Sequence, residues 1–157
     1  MATPRFKYIK VAGERYRSIE PASAEPVLRA IKRRPYWQGT IISPDEKPGL
    51  DGAGQYPILT LDWYPEHGYC VHCMELAPKS HFLSSSATLS KPAVYVELGG
   101  QGQELWPLEL FVPDSLALKA TRYLLRHGRR DPSLLWVAID AFRRRSVKPQ
   151  PRTGRAQ

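Results

Sequence analysis

The sequence predicts an α+β fold: one domain with a mainly antiparallel sheet of about five or six strands and two helices packed on one face of it. Two observations predict this class. Short segments rich in β-branched and aromatic residues are separated by turn residues, as in antiparallel hairpins. Two other segments have the apolar spacing of amphipathic helices. We assign residues 1–142 to the domain and 143–157 to a basic, disordered tail.

The first half of the chain predicts an edge strand, a helix and a hairpin. The alternation over Phe6–Val11 suggests the strand. The helix is expected over residues 23–34, with Ser23 as its N-cap. Strands are then expected over three segments: 37–42, 57–63 and 69–76. A Pro- and Gly-rich loop over 43–56 follows the first of these strands, and a turn over 64–68 joins the other two.

The second half predicts further strands and the longer helix. Phe82 and Leu83 suggest a brief strand, and residues 93–98 a longer one. Residues 104–112 should be extended because Pro107 and Pro113 oppose a helix. A helix capped by Asp114 is expected to run to His127, with Gly128 as its C-terminal cap and a last strand within 134–139. Its apolar face is expected at positions 116, 120, 123, 124 and 127.

Charge is unevenly distributed along the chain. The formal net charge is +8, yet residues 38–118 hold three Lys against ten Asp or Glu, which gives −7. Residues 1–37 and 119–157 are basic, with +6 and +9. Basic runs at 32–34, 126–130 and 143–145 could contact phosphates, so a basic nucleic-acid-binding protein is the alternative function, although solvated helix faces explain such runs as well.

The sequence favours a cytoplasmic protein that does not enter a membrane. No apolar run approaches the roughly 20 residues that a membrane-spanning helix needs. The first ten residues lack the apolar core of a secretory signal. Cys70 and Cys73 are the only cysteines, which fits a reducing compartment.

No group of residues in the sequence predicts a catalytic, metal or cofactor site, so we expect no enzyme. The one cluster with the chemistry of metal ligands comprises His67, Cys70, His72, Cys73 and His81. Its Cys-x-x-Cys lies within a predicted strand, where side chains three apart point to opposite faces. A mid-strand cysteine also lacks the setting of a nucleophile. The glycines at 99–102 precede no helix, and Glu97, Glu104 and Glu109 show no catalytic spacing.

The order of motifs from 23 to 139 resembles the first-numbered family of immunity proteins in bacterial polymorphic-toxin systems. Three patches, spread over about three quarters of the chain, carry the resemblance: Glu25–Ile31 with Thr40–Ile42; Ile58–Leu61, His67-Gly68 and Tyr69–Met74; and Val94–Gly100, Glu104–Pro107, Phe111–Pro113, Ala117, Ala120, Tyr123-Leu124, His127–Arg129 and Leu135-Trp136. The resemblance implies a stoichiometric inhibitor that binds a cognate toxin one to one and occludes its active site.

The acidic middle of the chain is the expected binding surface. If the toxin attacks nucleic acid, its cleft is basic and acidic groups would complement it. The expected partner-binding residues combine such groups with aromatic anchors: Asp62, Trp63, Tyr64, Glu66, Gln101, Gln103, Glu104 and Trp106. Asp45, Glu46 and Asp51 add further acidic groups near turns. The opposing hypothesis is that the basic helix faces bind an acidic toxin.

Overall fold

A computed structural model describes residues 6–10, 17–33, 40–43, 57–75, 79–97 and 103–142. It has three layers: two helices, a large antiparallel sheet, and a two-stranded hairpin on the opposite face of that sheet. The predicted α+β class is therefore confirmed. The proposed tail over 143–157 and the loop over 44–56 lie outside the described residues.

The strands and helices are short and follow one another closely. The strands are β1 (Phe6–Lys10), β2 (Arg17–Ile19), β3 (Thr40–Ser43), β4 (Ile58–Tyr64), β5 (Gly68–Glu75), β6 (Lys79–Leu83), β7 (Pro92–Glu97), β8 (Gln103–Pro107), β9 (Phe111–Val112) and β10 (Trp136–Ala138). The helices are α1 (Ala24–Lys32) and α2 (Asp114–His127). Single 3₁₀ turns cover Pro21–Ser23 and Leu108–Leu110.

The main sheet contains eight of these strands, and every pairing is antiparallel. Its order is β10-β6-β5-β4-β3-β1-β2, and β9 pairs with the first residues of β5. β7 and β8 form the separate hairpin. β10 lies within the last strand expected over 134–139. The main sheet exceeds the expected five or six strands because β2 and β9 have only three and two residues, too few to show an alternation in sequence.

The two central strands separate two hydrophobic cores. In β4, Leu59 and Leu61 face the helices, as the predicted alternation requires, whereas Tyr64 faces the hairpin. We call the first cluster the helix-side core; its members include Leu28, Ile31, Leu59, Leu61, Tyr69, Val71, Cys73, Ala117, Ala120 and Leu124. The hairpin-side core comprises Tyr64, Cys70, Phe82, Val94, Val96, Trp106, Leu110, Phe111 and Phe142. Both helices pack on the same face, as expected.

The buried stripe of α2 is rotated relative to the prediction. Its buried residues are Ala117, Ala120, Thr121, Leu124 and Leu125. Position 116 is only partly buried, Tyr123 is half-buried, and His127 is exposed. Thr121 escaped prediction because it is polar, but its hydroxyl donates to the carbonyl oxygen of Ala117 at 2.8 Å, which satisfies the group inside the core.

Ser23 occupies the predicted N-cap position of α1 but does not cap it through its side chain, the predicted N-cap Asp114 is wrong, and the C-cap is confirmed. Ser23 closes a 3₁₀ turn in a helical conformation, so its side chain makes no capping hydrogen bond. Asp114 is already the first residue of α2, preceded by Pro113, and its carboxylate pairs with Lys32 instead. Gly128 is left-handed at φ 69°, and its N–H donates to the carbonyl of Leu124 at 2.8 Å.

Among the described residues, no helix has both the length and the apolar character needed to cross a membrane.

The close pairing of β9 with the start of β5 requires a glycine at position 68. Its φ is 118°, a value that side chains strongly disfavour. A Cβ placed there would lie 2.5 Å from the carbonyl oxygen of Val112, which belongs to the backbone and cannot rotate away. The close contact between these two strands therefore depends on the missing side chain.

We expect Gly68→Ala to lower the free energy of unfolding by about 3 kcal/mol, because strain at φ and displacement of β9 add together. Gly128→Ala is the matched control: it introduces the same methyl group at a left-handed position and should cost only about 1 kcal/mol. Urea unfolding followed by circular dichroism measures both. Equal losses for the two variants would contradict the close contact at β9.

Candidate partner-binding site

The predicted partner-binding residues lie at three places in the fold. Asp62, Trp63 and Tyr64 are in β4, and Glu66 is in the turn after it. Gln103, Glu104 and Trp106 are in β8. Gln101 lies outside the described residues. Since β4 is central in the main sheet and β8 belongs to the hairpin, these residues do not form one surface.

Tyr64 and Trp106, the expected aromatic anchors, are core residues. Tyr64 is 7% exposed and packs edge-on against Phe111, with ring centroids 5.1 Å apart. Trp106 is 4% exposed, and its ring lies 4.9 Å from that of Phe82. Its indole Nε1 donates to the Glu104 carboxylate at 2.9 Å. Both rings hold the hairpin-side core together and present little surface to a partner.

Trp63 faces the opposite way, toward the helices. It packs against the helix-side core, and its ring centroid lies 4.8 Å from that of Tyr69. The ammonium of Lys32 lies 4.8 Å above the Trp63 ring, a cation–π contact. The main sheet therefore separates Trp63 from Tyr64 and Trp106.

Asp62 lies on the hairpin side of β4, directly across from Cys70. Burial raises the pKa of Asp62 to about 6. His72 lies two residues beyond Cys70 on the same face, stacked on Phe82 with ring centroids 4.4 Å apart. Burial, and next the neighbouring His81, lower the pKa of His72 to about 4, and its Nε2 has no hydrogen-bond partner among the described residues.

This Asp–Cys–His neighbourhood does not activate its thiol. Burial, followed by the charge of Asp62, raises the pKa of Cys70 well above its usual value, whereas a nucleophilic cysteine needs a lowered pKa. Cys73 lies in the helix-side core and Cys70 in the hairpin-side core, so the predicted opposite orientation of the two cysteines is confirmed. Across the described ranges, no three His, Cys, Asp or Glu side chains are grouped as a metal site requires.

The outward face of the hairpin carries Gln103, one of the predicted partner-binding residues, together with residues that the sequence analysis did not name. Val94 and Val96 point into the core, so Tyr95 between them points outward and is 64% exposed. Leu105 is its direct partner across the hairpin. Leu108, in the turn after β8, is 49% exposed. We call Tyr95, Gln103, Leu105 and Leu108 the hairpin surface.

A hydrogen-bonded segment fixes the turn that carries Leu108. Ser90 donates to the Glu109 carboxylate through its N–H at 3.1 Å and its hydroxyl at 2.9 Å. The N–H of Ser85 donates to the Glu109 carbonyl at 2.9 Å. Burial alone would raise the pKa of Glu109, but hydrogen bonds from the backbone and from Ser90 outweigh it and lower the pKa. The Glu109 carboxylate is therefore charged at neutral pH.

The helix layer is mainly basic. Lys119, Arg126 and Arg129 are exposed on or just after α2. Arg29 and Arg122 share the carboxylate of Glu25. Of the other basic residues predicted to contact phosphates, Arg130 forms an ion pair with Glu75. Arg34 and residues 143–145 lie outside the described residues. Nucleic-acid binding stays a prediction.

No protein-family model matches this chain, and neither a curated protein nor a solved structure matches it. The resemblance to immunity proteins rests on sequence motifs alone and stays a prediction.

The shifted pKa of Asp62 gives a pH-dependent stability. Because the folded pKa of about 6 exceeds the usual 3.8, the buried charge destabilises the fold above pH 6, and this cost disappears as the pH falls toward 3.8. Asp62→Asn removes this cost. The gain in the free energy of unfolding of the variant over the parent should therefore be about 2 kcal/mol larger at pH 7.5 than at pH 4.

Urea unfolding at several pH values measures this difference. His72 acts in the opposite direction, because its folded pKa lies below 6.5 and stability is lost as the pH falls from 6.5 toward 4. In Asp62→Asn the effect of His72 is no longer opposed by Asp62. The free energy of unfolding of this variant should therefore fall steeply as the pH drops from 6.5 toward 4. Asp140→Asn, which removes a carboxylate from an exposed position, is the control and should not reproduce the pH dependence expected of Asp62→Asn. A constant difference between Asp62→Asn and the parent would contradict the buried charge.

Proposed function

We propose that this protein is a cytoplasmic immunity protein that neutralises a cognate bacterial toxin by binding it one to one at the hairpin surface and occluding its active site. The observation that carries the proposal is the exposure of Tyr95 on the outward face of a hairpin whose inward face is locked into a core. No catalytic group, metal or cofactor takes part in this mechanism.

The hairpin surface has the properties of a binding anchor. Tyrosine is enriched at the energetic centres of protein interfaces, because its ring buries a large area at a small cost in conformational entropy. Val94, Val96 and Trp106 hold the strands from beneath, so a partner would not have to order the backbone. Leu105 adds apolar area directly across from Tyr95, and Leu108 is a further exposed apolar side chain in the turn after β8.

Acidic groups on the hairpin side supply the complementary charge. The carboxylate of Glu104 is oriented by the indole of Trp106, and Glu109 is held by Ser90. Glu66 is exposed in the turn between β4 and β5. Glu104 pairs with Val96 across the hairpin, so it lies on the inward face, behind the face that presents Tyr95. Carboxylates on this side of the molecule favour a partner with a basic cleft, as in an enzyme that acts on nucleic acid.

Tyr95→Ala should weaken the complex with the toxin by about 2–4 kcal/mol, which is roughly 30- to 1,000-fold in Kd, without unfolding the protein. The toxin to be used is the one encoded beside this chain. Isothermal titration calorimetry gives Kd and stoichiometry, and rescue of cells that express the toxin gives the biological effect.

Tyr123→Ala is the matched control, since it removes the same side chain from the helix layer and should leave affinity unchanged. Absence of protection by the parent protein would refute the proposed function. Protection that is lost with Tyr123→Ala and kept with Tyr95→Ala would move the interface to the helices.

The acidic groups should act mainly on the association rate. Combining Glu66→Lys with Glu104→Gln, which keeps an acceptor for the indole of Trp106, should slow association by about tenfold at low salt. The same pair should flatten the dependence of the rate on ionic strength. Stopped-flow mixing measures both. A rate and a salt dependence equal to those of the parent would remove the acidic-surface hypothesis while leaving the role of Tyr95 intact.

A further inference from the structure

A groove lies between α1 and the first turn of α2, on the face of the main sheet opposite the hairpin surface. Its volume is about 520 Å³, within the range of roughly 300–1,000 Å³ typical of ligand sites. α1 supplies Glu25, Leu28, Arg29, Lys32 and, at its end, Arg33. α2 supplies Asp114, Ser115 and Leu118, and β5 supplies Tyr69.

The floor of the groove is apolar and rigid. Tyr69 and Leu28 belong to the helix-side core, and Leu118 packs against it. The hydroxyl of Tyr69 donates to the carbonyl oxygen of Leu28 at 2.6 Å, so its polar atom is already satisfied. Leu28 and Tyr69 are almost fully buried and Leu118 is partly exposed, so Leu118 provides the apolar contact surface of the floor.

The rim of the groove has more positive than negative groups. Asp114 is engaged by Lys32, and the carboxylate of Glu25 serves both Arg29 and Arg122. Arg33 is exposed and makes no ion pair with any of the described residues. Arg29 and Arg33 are four residues apart, so they lie on the same side of the helix. A carboxylate placed between them would meet two guanidinium groups.

We propose that this groove binds an acidic, amphipathic peptide segment of a partner protein. One apolar side chain of the segment rests on Leu118, above Leu28 and Tyr69. An adjacent carboxylate pairs with Arg33 and shares Arg29 with Glu25. Guanidinium groups bind carboxylates in a two-point geometry, which orients the segment along α1. The site does not depend on the proposed immunity function, because the main sheet separates the groove from the hairpin surface.

The basic rim also has a simpler explanation, which the test must exclude. Cations near the C-terminal end of a helix stabilise it by interacting with the free carbonyl groups. That effect concerns Arg29, Lys32 and Arg33 alone and requires neither the apolar floor nor a ligand. The two explanations differ because only a binding site responds to a change in the floor.

The probe is a short fluorescein-labelled peptide that repeats Glu-Leu-Glu-Glu-Leu, titrated with the intact protein at 150 mM salt and followed by fluorescence polarisation. Arg33→Glu should weaken binding at least tenfold, and Leu118→Glu should abolish it. Intrinsic tryptophan fluorescence should change on binding, because Lys32, at the rim, lies over the Trp63 ring.

Arg126→Glu is the matched control for charge. This exposed position is about 12 Å along α2 from Leu118, beyond the Debye length of about 8 Å at this salt concentration, so affinity should change less than about twofold. A peptide of equal charge without leucine should bind at least tenfold more weakly. Circular dichroism confirms that each variant is folded.

Three results would overturn the proposal: no binding of the leucine-containing peptide up to about 1 mM, equal binding of the two peptides, or an equal loss with Arg126→Glu and Arg33→Glu. None of them bears on the hairpin surface, which is tested by toxin binding.

Discussion

The fold depends on the paired strands β4 and β5, which bury side chains on both faces. Successive residues of each strand enter opposite cores, so a shift of one residue in their register would exchange the two cores. Tyr69 strengthens this constraint by bonding through its hydroxyl to α1, while Gly68 beside it allows β9 to approach. The helices then cover the core on one face of this strand pair, and the hairpin covers the core on the other face.

This division also separates the chemistry of the two surfaces. The hairpin side contains Glu104 and Glu109. The two helices carry five lysine and arginine side chains: Arg29, Lys32, Lys119, Arg122 and Arg126. The uneven charge along the chain therefore becomes a difference between two faces of one small domain. Surfaces that differ in this way can bind partners of opposite charge, which is why the hairpin surface and the groove are proposed for different kinds of ligand.

The partner-binding residues selected from the sequence overlap the proposed hairpin surface only in part. Sequence reasoning pointed to β8 and to the acidic residues near it, but it selected Tyr64 and Trp106 as anchors, and both are buried. Aromatic residues beside prolines and turns occur in cores as well as at interfaces, and composition does not distinguish the two. Tyr95 was passed over because it lies in the run of apolar and aromatic residues 93–96, and such a run is equally compatible with burial on both faces.

The sequence by itself determined the α+β class, the extent of α2, the left-handed cap at Gly128 and the opposite orientation of Cys70 and Cys73. These features depend on local periodicity and backbone preference, which neighbouring residues specify. Tertiary structure alone decided which face of α2 is buried, where the two- and three-residue strands pair, and which aromatic rings stay exposed. Those outcomes depend on contacts between segments far apart in the chain, such as β5 with β9 and β7 with the main sheet.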